Sequence, residues 1–379
     1  MKRKSIFILF AIVLSFMTFY SCSDKTDMVT DTPIRDSQSL AKKQPPENIN
    51  VSVFYTGLDS PRGLKFGPDG YLYVAEGGEG GTSTTTGSQC EQVPSPIGPY
   101  SGGYTARISK ISPAGVRTTV ADGLPSSQTA QGSGSLISGV ADIAFVNGTL
   151  YGIEAGAGCS HGLEGTVNSI FRVNSDGTTT DIADLSTYQQ THPVAHPEKD
   201  DFEPDGTWYS MINVRGALYA VEPNHGEMVK VTTDGNISRV IDVSATQGHI
   251  VPTALAYHGN FYIGNLNTFP VVPGSSNIFK VTPSGQIQKR LSGLTTVLGI
   301  VFDNMDRMYV LEMTTTAGNP APGSGKILRI LPSGQQQEIA TGLDFPTGMT
   351  MGPDGNLYVS NKGFGFPQEA GQILKISFN

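Results

Sequence analysis

Charge is scarce in this chain: 15 % of its 379 residues are Asp, Glu, Lys or Arg. That density is too low for long solvated helices, a coiled coil or wholesale disorder. Basic clusters are absent beyond Lys2-Arg3-Lys4 and Lys42-Lys43, and 25 basic against 33 acidic side chains leave a net charge of −8. The electrostatic footprint of a nucleic-acid binder is therefore missing, and no nucleic-acid partner is expected. Cysteine is scarcer still, with Cys22, Cys90 and Cys159 only, and no His-Glu-x-x-His, Cys-x-x-Cys, Gly-x-Ser-x-Gly or phosphate-loop motif occurs. Glycine and proline, in contrast, are plentiful: 46 Gly and 24 Pro make up about 18 % of the chain, against an average near 12 %. The composition is that of a turn-rich globular protein.

Three cations at positions 2 to 4 precede an apolar run from Ile6 to Tyr20, which at fifteen residues is short of the roughly 18 to 20 of a permanent membrane helix. This pattern reads as a secretory signal over residues 1–21. The run ends at Phe19-Tyr20-Ser21-Cys22, which resembles a bacterial lipobox. The resemblance implies that Cys22 is lipidated and becomes the mature N-terminus, placing the protein at the outer membrane, facing the periplasm or the cell surface. Residues 22–48 carry Pro33, Pro45 and Pro46 and no apolar period, the composition of a flexible tether. Within it, Ser23-Asp24-Lys25-Thr26-Asp27 resembles the acidic stretch of surface-exported Bacteroidetes lipoproteins.

Residues 49–379 repeat one unit six times. Its first mark is an apolar residue followed by Tyr, at Tyr73, Tyr151, Tyr219, Tyr262, Tyr309 and Tyr358, with spacings of 78, 68, 43, 47 and 49. The second is a basic residue beside a β-branched one, at Lys110, Arg172, Lys230, Lys280, Arg329 and Lys375. Turn tetrads such as Gly67-Pro68-Asp69-Gly70 and Thr232-Thr233-Asp234-Gly235 flank these marks. Each unit reads as four antiparallel strands; in the first they are strand a (Gly63 to Phe66), b (Tyr71 to Ala75), c (Ile108 to Ile111) and d (Val116 to Ala121). Four short strands at a period near 45 residues specify an all-β, six-bladed β-propeller. The last unit lacks strand d, while an orphan strand from Asn50 to Leu58 ends in Thr56-Gly57-Leu58, matching Thr341-Gly342-Leu343 at the end of the fifth unit. The N-terminal strand is therefore expected to complete the C-terminal blade and close the ring of a monomer.

With Pro61-Arg62-Gly63, Pro346-Thr347-Gly348 and the Gly-Pro-Asp-Gly turns in hand, residues 50–379 resemble an NHL-type propeller of the ScyD/ScyE family. That resemblance implies the fold and carries no established activity. Similar blade motifs occur in streptogramin lyases and gluconolactonase-like lactonases, so the repeat speaks to fold far more than to function.

All insertions fall between strands b and c or between d and the next a, at residues 77–104, 123–139, 155–168, 187–206, 266–277 and 313–325. In a meander these links share one face, which becomes a crown of loops and the expected place for binding. Three residues after each Tyr, strand b ends there in Glu76, Glu154, Glu222, Asn265, Glu312 and Asn361. Either each side chain bonds backbone groups of its own loop, or the ring holds a hard cation, Ca²⁺ or Mg²⁺, since four carboxylates on one channel need protons, cationic partners such as Arg62, or a metal. His225 beside Glu222 is the candidate base of a metal-dependent hydrolase or lyase; His161, His192, His196 and His249 are further loop histidines. Trp208 and Tyr209, in the third Pro-x-Gly slot, are expected with Arg62 at the channel mouth as a platform for a small molecule, glycan or protein. Cys90 and Cys159, in loops of adjacent blades and an oxidising compartment, are expected to pair. Binding is favoured over catalysis because no complete set of nucleophile, base and orienting group is legible.

Overall fold

The computed structural model describes residues 48–130, 136–197, 199 and 202–378. The expected signal, Cys22 and all but the last residue of the tether lie outside them. The described chain forms six antiparallel sheets, five of four strands and one of five, a six-bladed propeller. Blade 2 is representative: strands a to d are Val140–Val146, Thr149–Glu154, Ser169–Val173 and Thr179–Asp184.

Both sequence marks of the repeat lie directly opposite each other in every blade. Tyr73 pairs with Lys110, Tyr151 with Arg172, Tyr219 with Lys230, Tyr262 with Lys280, Tyr309 with Arg329 and Tyr358 with Lys375. In blade 1 the turn aspartate joins them: Tyr73 Oη donates to Asp69 Oδ2 at 2.9 Å and Lys110 Nζ lies 3.3 Å from the same oxygen. Blade 6 repeats this with Tyr358, Lys375 and Asp354, whose carboxyl sits at about 2: burial works against ionisation, and Lys375, Asn356 and Tyr358 outweigh it. Thus the Gly-Pro-Asp-Gly turn, the Tyr and the Lys form one polar clamp on the smooth side of the blade.

The core is divided into six apolar layers, one per seam between blades. Ile108, Ile143 and Phe171 fill the seam of blades 1 and 2, and Tyr309, Leu357 and Val359 that of blades 5 and 6. The seam of blades 6 and 1 contains Leu58, Leu64, Tyr358 and Ile373, so the ring is closed. Closure comes from Ile49–Leu58, which pairs antiparallel with Gly371–Phe378 from Ile49 opposite Phe378 to Leu58 opposite Gly371. Phe54 and Phe66 both meet the Tyr358 ring edge-on, at 5.2 and 5.0 Å. The matched Gly-Leu ends are equivalent in space as well: Gly57 and Gly342 have φ of 85° and 75°, a left-handed bend available to glycine, and each turns its Leu into a seam.

One difference concerns blade 1. Strands c and d run beyond their sequence marks, as Ser101–Ile111 and Arg117–Gln128, and a fifth strand, Ile137–Ser138, pairs with the end of d. Two insertions read as loops lie side by side here, and pairing satisfies the backbone groups that each would otherwise leave open. Cys90 and Cys159 are joined by a disulfide across 69 residues, a closure for which the loop-entropy relation gives roughly 4 kcal/mol. It ties the crown loops of blades 1 and 2 together.

Candidate ligand-binding face

Strand a of each blade lines the central channel, and the Pro-x-Gly motif is explained by how closely these strands approach. A Cβ on Gly63 would stand 1.9 Å from Asp142 Oδ1 of blade 2, and one on Gly348 would stand 2.5 Å from Arg62 O of blade 1. Inside the channel Asp142 accepts from the Ile143 and Met211 amides at 2.8 and 2.9 Å and faces Lys65 Nζ at 4.0 Å. Burial raises its pKa, and Lys65 and the two amides work against that shift.

Strand a starts at the crown, so Arg62, Tyr209 and Thr347 sit at the channel mouth. Tyr209 Oη donates to Thr347 O at 2.8 Å, across the axis from blade 3 to blade 6. The Arg62 guanidinium bonds Ile137 O and Tyr209. Burial lowers the pKa of Arg62 and raises that of Tyr209. Leu298, Met313 and Phe345 form an apolar patch beside them, joined by Leu266, Phe364 and Phe366; Phe345 and Phe364 are stacked at 4.7 Å. Trp208 does not reach this mouth. It is 1 % exposed and packs with Leu185, Met211 and Leu218 in the seam of blades 2 and 3. Its neighbour Tyr209 takes the opposite direction because side chains alternate along an extended segment.

The six residues that end strand b are all at or below 4 % exposure, and they anchor loops. Glu76 Oε2 accepts from Asp59 N at 2.8 Å, Glu222 Oε1 from Thr207 N at 2.8 Å, Glu312 Oε1 from Thr295 N at 2.6 Å and Asn361 Oδ1 from Asp344 N at 2.9 Å. Each of these amides belongs to the link that enters strand a of the same blade, so the side chain pins that link against its own b strand. Asn265 bonds Ile250 O and Asn277 N, at 2.9 and 2.7 Å; Glu154 Oε1 takes the Ala155 and Gly156 amides, at 3.1 and 3.0 Å.

Three of the four carboxylates have a cationic partner within their own blade. Arg117 Nη2 lies 2.6 Å from Glu76, His225 Nδ1 3.2 Å from Glu222 and Lys326 Nζ 3.2 Å from Glu312. Burial opposes ionisation of Glu222, yet the charge of His225 and the Thr207 amide outweigh it and hold the carboxyl below its usual value. For Glu76 and Glu312 burial outweighs their partners, and both are raised. Among the described residues no cation stands beside Glu154: its Oε2 is buried without a hydrogen-bond partner there, and burial lifts its pKa to about 8. Among the described residues no group of three or more His, Cys, Asp or Glu side chains could hold a metal ion. Glu76, Glu154, Glu222, Asn265, Glu312 and Asn361 thus bond the backbone of their own crown loops, their oxygens turned to nearby amides.

The histidines are distributed likewise. His225, the sequence candidate for a base, is 4 % exposed, pairs with Glu222 and touches the Phe202 ring. Burial disfavours its charge, but Glu222 outweighs this and raises its pKa. His192 and His196 are exposed and His249 is half-buried. His161 stands in an arrangement the sequence did not disclose: Nδ1 meets Ser127 Oγ at 2.7 Å, Nε2 meets Gly206 O at 3.1 Å and Glu203 Oε2 at 3.5 Å, and Tyr100 Oη donates to Glu203 Oε1 at 2.7 Å. Serine, histidine and carboxylate follow in the order of a nucleophilic triad, but Ser127 and His161 are fully buried. Burial lowers the His161 pKa, so a neutral imidazole joins the crown loops of blades 1, 2 and 3 as a strut.

An open concavity lies elsewhere on this face, at the seam of blades 6 and 1. It measures about 330 Å³, within the roughly 300–1,000 Å³ of small-molecule sites, and is walled by Asp59, Glu79, Gln128, Ile137 and Phe366. Sequence reading missed it because its walls come from separate segments of blades 1 and 6 that only ring closure brings together.

No protein-family model and no curated protein matches the chain. Solved structures similar to it include a protein of unknown function from Bacteroides thetaiotaomicron (13 % identity, TM-score 0.56, 88 % of this chain and 76 % of that one). A gluconolactonase from Xanthomonas campestris is similar over 87 % of this chain and 90 % of its own, at 10 % identity and TM-score 0.54. A putative oxidoreductase (glucose dehydrogenase) from Thermus thermophilus is similar over 87 % of this chain and all of its own, at 14 % identity and TM-score 0.52. At such identities the likeness establishes the six-bladed propeller fold, and the fold alone.

Proposed function

We propose that this chain is a binding propeller, tethered to the bacterial outer membrane through a lipid on Cys22, that holds a small molecule at its loop-rich face. The observation that carries the reading is a division of labour on that face. The groups with chemistry to offer, His161, His225 and the strand-b carboxylates, are buried and bonded within the protein, while the open cavity is walled by groups suited to holding a ligand. A metal-dependent hydrolase or lyase needs carboxylates or imidazoles meeting at one accessible point, and the described residues bring no such group together.

A thermal-shift screen of the full-length protein tests the binding half. A ligand at a hundred times its Kd adds about 2.7 kcal/mol to the native state, and a rise of several degrees in Tm is expected with a member of a metabolite and sugar library. Turnover of a lactone or ester panel that requires added Mg²⁺ or Ca²⁺ would overturn the reading in favour of catalysis. The tether is tested separately by metabolic labelling with a palmitate analogue. Wild type should be marked and Cys22→Ser unmarked; equal labelling would remove the lipid anchor from the proposal.

A further inference from the structure

The cavity at the seam of blades 6 and 1 has a charge balance and a set of hydrogen-bonding groups that select among ligand classes. Asp59, 5 % exposed, is already committed: Arg107 Nη2 lies 3.0 Å from its Oδ2 and the Glu369 amide donates to Oδ1 at 2.7 Å. Glu79 Oε2 accepts from Gln368 Nε2. Arg62 is spent on the carbonyl of Ile137, behind the wall. Two carboxylates thus line the cavity, one of them paired with Arg107, and the nearby Glu369 side chain is exposed to water. An anionic ligand would meet Asp59 and Glu79 at contact distance. A cation would find Asp59 already paired with Arg107 and one oxygen of Glu79 taken by Gln368.

A neutral ligand remains, and the polar atoms say which kind. Gln128 Nε2 is bound to Gly81 O at 3.0 Å, which orients the amide and leaves Oε1 as an acceptor; Gln128 itself is held in place by close packing on Gly80. Among the described residues nothing donates to Gln128 Oε1 or Glu79 Oε1, so the cavity presents acceptors that call for O–H donors. Phe366 and Ile137 make the apolar part of the wall, both partly buried, with Ile137 paired to Gln128 in the sheet. A molecule with several hydroxyls on one edge and a C–H face on another meets both walls at once; a purely apolar ligand would leave the desolvated carboxylate and amides unpaired.

We propose that this cavity is a subsite for a pyranose sugar, free or at the end of a glycan, with Glu79, Gln128 and Gln368 on its hydroxyls and Phe366 against its C–H face. The proposal rests on the binding reading above and names its ligand class. The test is saturation-transfer NMR on the full-length protein with glucose, N-acetylglucosamine and maltose as sugar probes, phenethylamine as a cation and benzoate as an anion. Transfer to the ring protons of at least one sugar is expected, with affinity reduced tenfold or more in Glu79→Gln and in Phe366→Ala. Gln368→Ala, at an exposed position, should weaken binding too and serves if the Phe366 variant does not fold. Binding of phenethylamine or benzoate but of no sugar would overturn the sugar assignment while leaving a binding propeller. Sugar binding that all three variants retain would move the site elsewhere on the crown and equally overturn the assignment. No transfer to any probe, together with a silent thermal-shift screen, would remove both readings.

Discussion

Deleting residues 48–58 should abolish cooperative unfolding and drive the protein into aggregates, whereas deleting residues 23–45 should leave the melting temperature and solubility near those of the full chain. The first deletion removes a strand that is paired with Gly371–Phe378 along its length and that supplies Leu58, fully buried, and Phe54 to the seam of blades 6 and 1. A buried Leu or Phe contributes about 1.5–3 kcal/mol and each ladder hydrogen bond about 1 kcal/mol. Together these approach the whole stability of an ordinary domain, about 5–15 kcal/mol. The loss also exposes the backbone edge of blade 6, a template for pairing with other chains. Size-exclusion chromatography and a thermal melt of both truncations decide the matter. Two monomeric proteins with equal melting temperatures would mean that the ring closes without this strand.

Glu154→Gln should change the pH dependence of stability strongly. The folded-state pKa of Glu154, about 8, lies above its ordinary value of 4.5. Between these values the unfolded chain gives up the proton while the folded chain keeps it, so the native state is penalised progressively as pH rises from 4.5 towards 8 and the penalty levels off beyond. With about 1.4 kcal/mol per pKa unit, the full deficit is on the order of 5 kcal/mol. The amide introduced by the substitution keeps the acceptor that binds the Ala155 and Gly156 amides and never ionises. Urea titrations at pH 5, 6, 7 and 8 should therefore find the two proteins similar at pH 5 and the variant more stable by several kcal/mol at pH 8. Raised carboxyls at Glu76 and Glu312 tilt both curves alike, so the difference between the curves isolates Glu154. Parallel curves would place a charge-compensating group or water beside Oε2 and refute the account.

The same ring of side chains separates the two kinds of knowledge about this protein. That it is a six-bladed propeller closed by its own N-terminus is legible in the order of its residues. The Tyr and Lys or Arg marks, the turn tetrads and the matched Thr-Gly-Leu ends are local signals, each enforced by neighbours a few residues or one hairpin away, and they recur. Recurrence also locates Glu76, Glu154, Glu222, Asn265, Glu312 and Asn361 at equivalent positions. Their function is not legible there, because periodicity reports where a side chain starts and leaves open which groups meet it. Tertiary structure decided that Arg117, His225 and Lys326 each neutralise one carboxylate, that Glu154 is left to hold a proton, and that Trp208 turns into a seam while Tyr209 crosses the channel. It alone brought Glu79, Gln128 and Phe366 to one cavity. Those residues lie in separate segments of blades 1 and 6, up to 289 positions apart in the Glu79–Gln368 contact, and only closure of the ring places the last blade against the first.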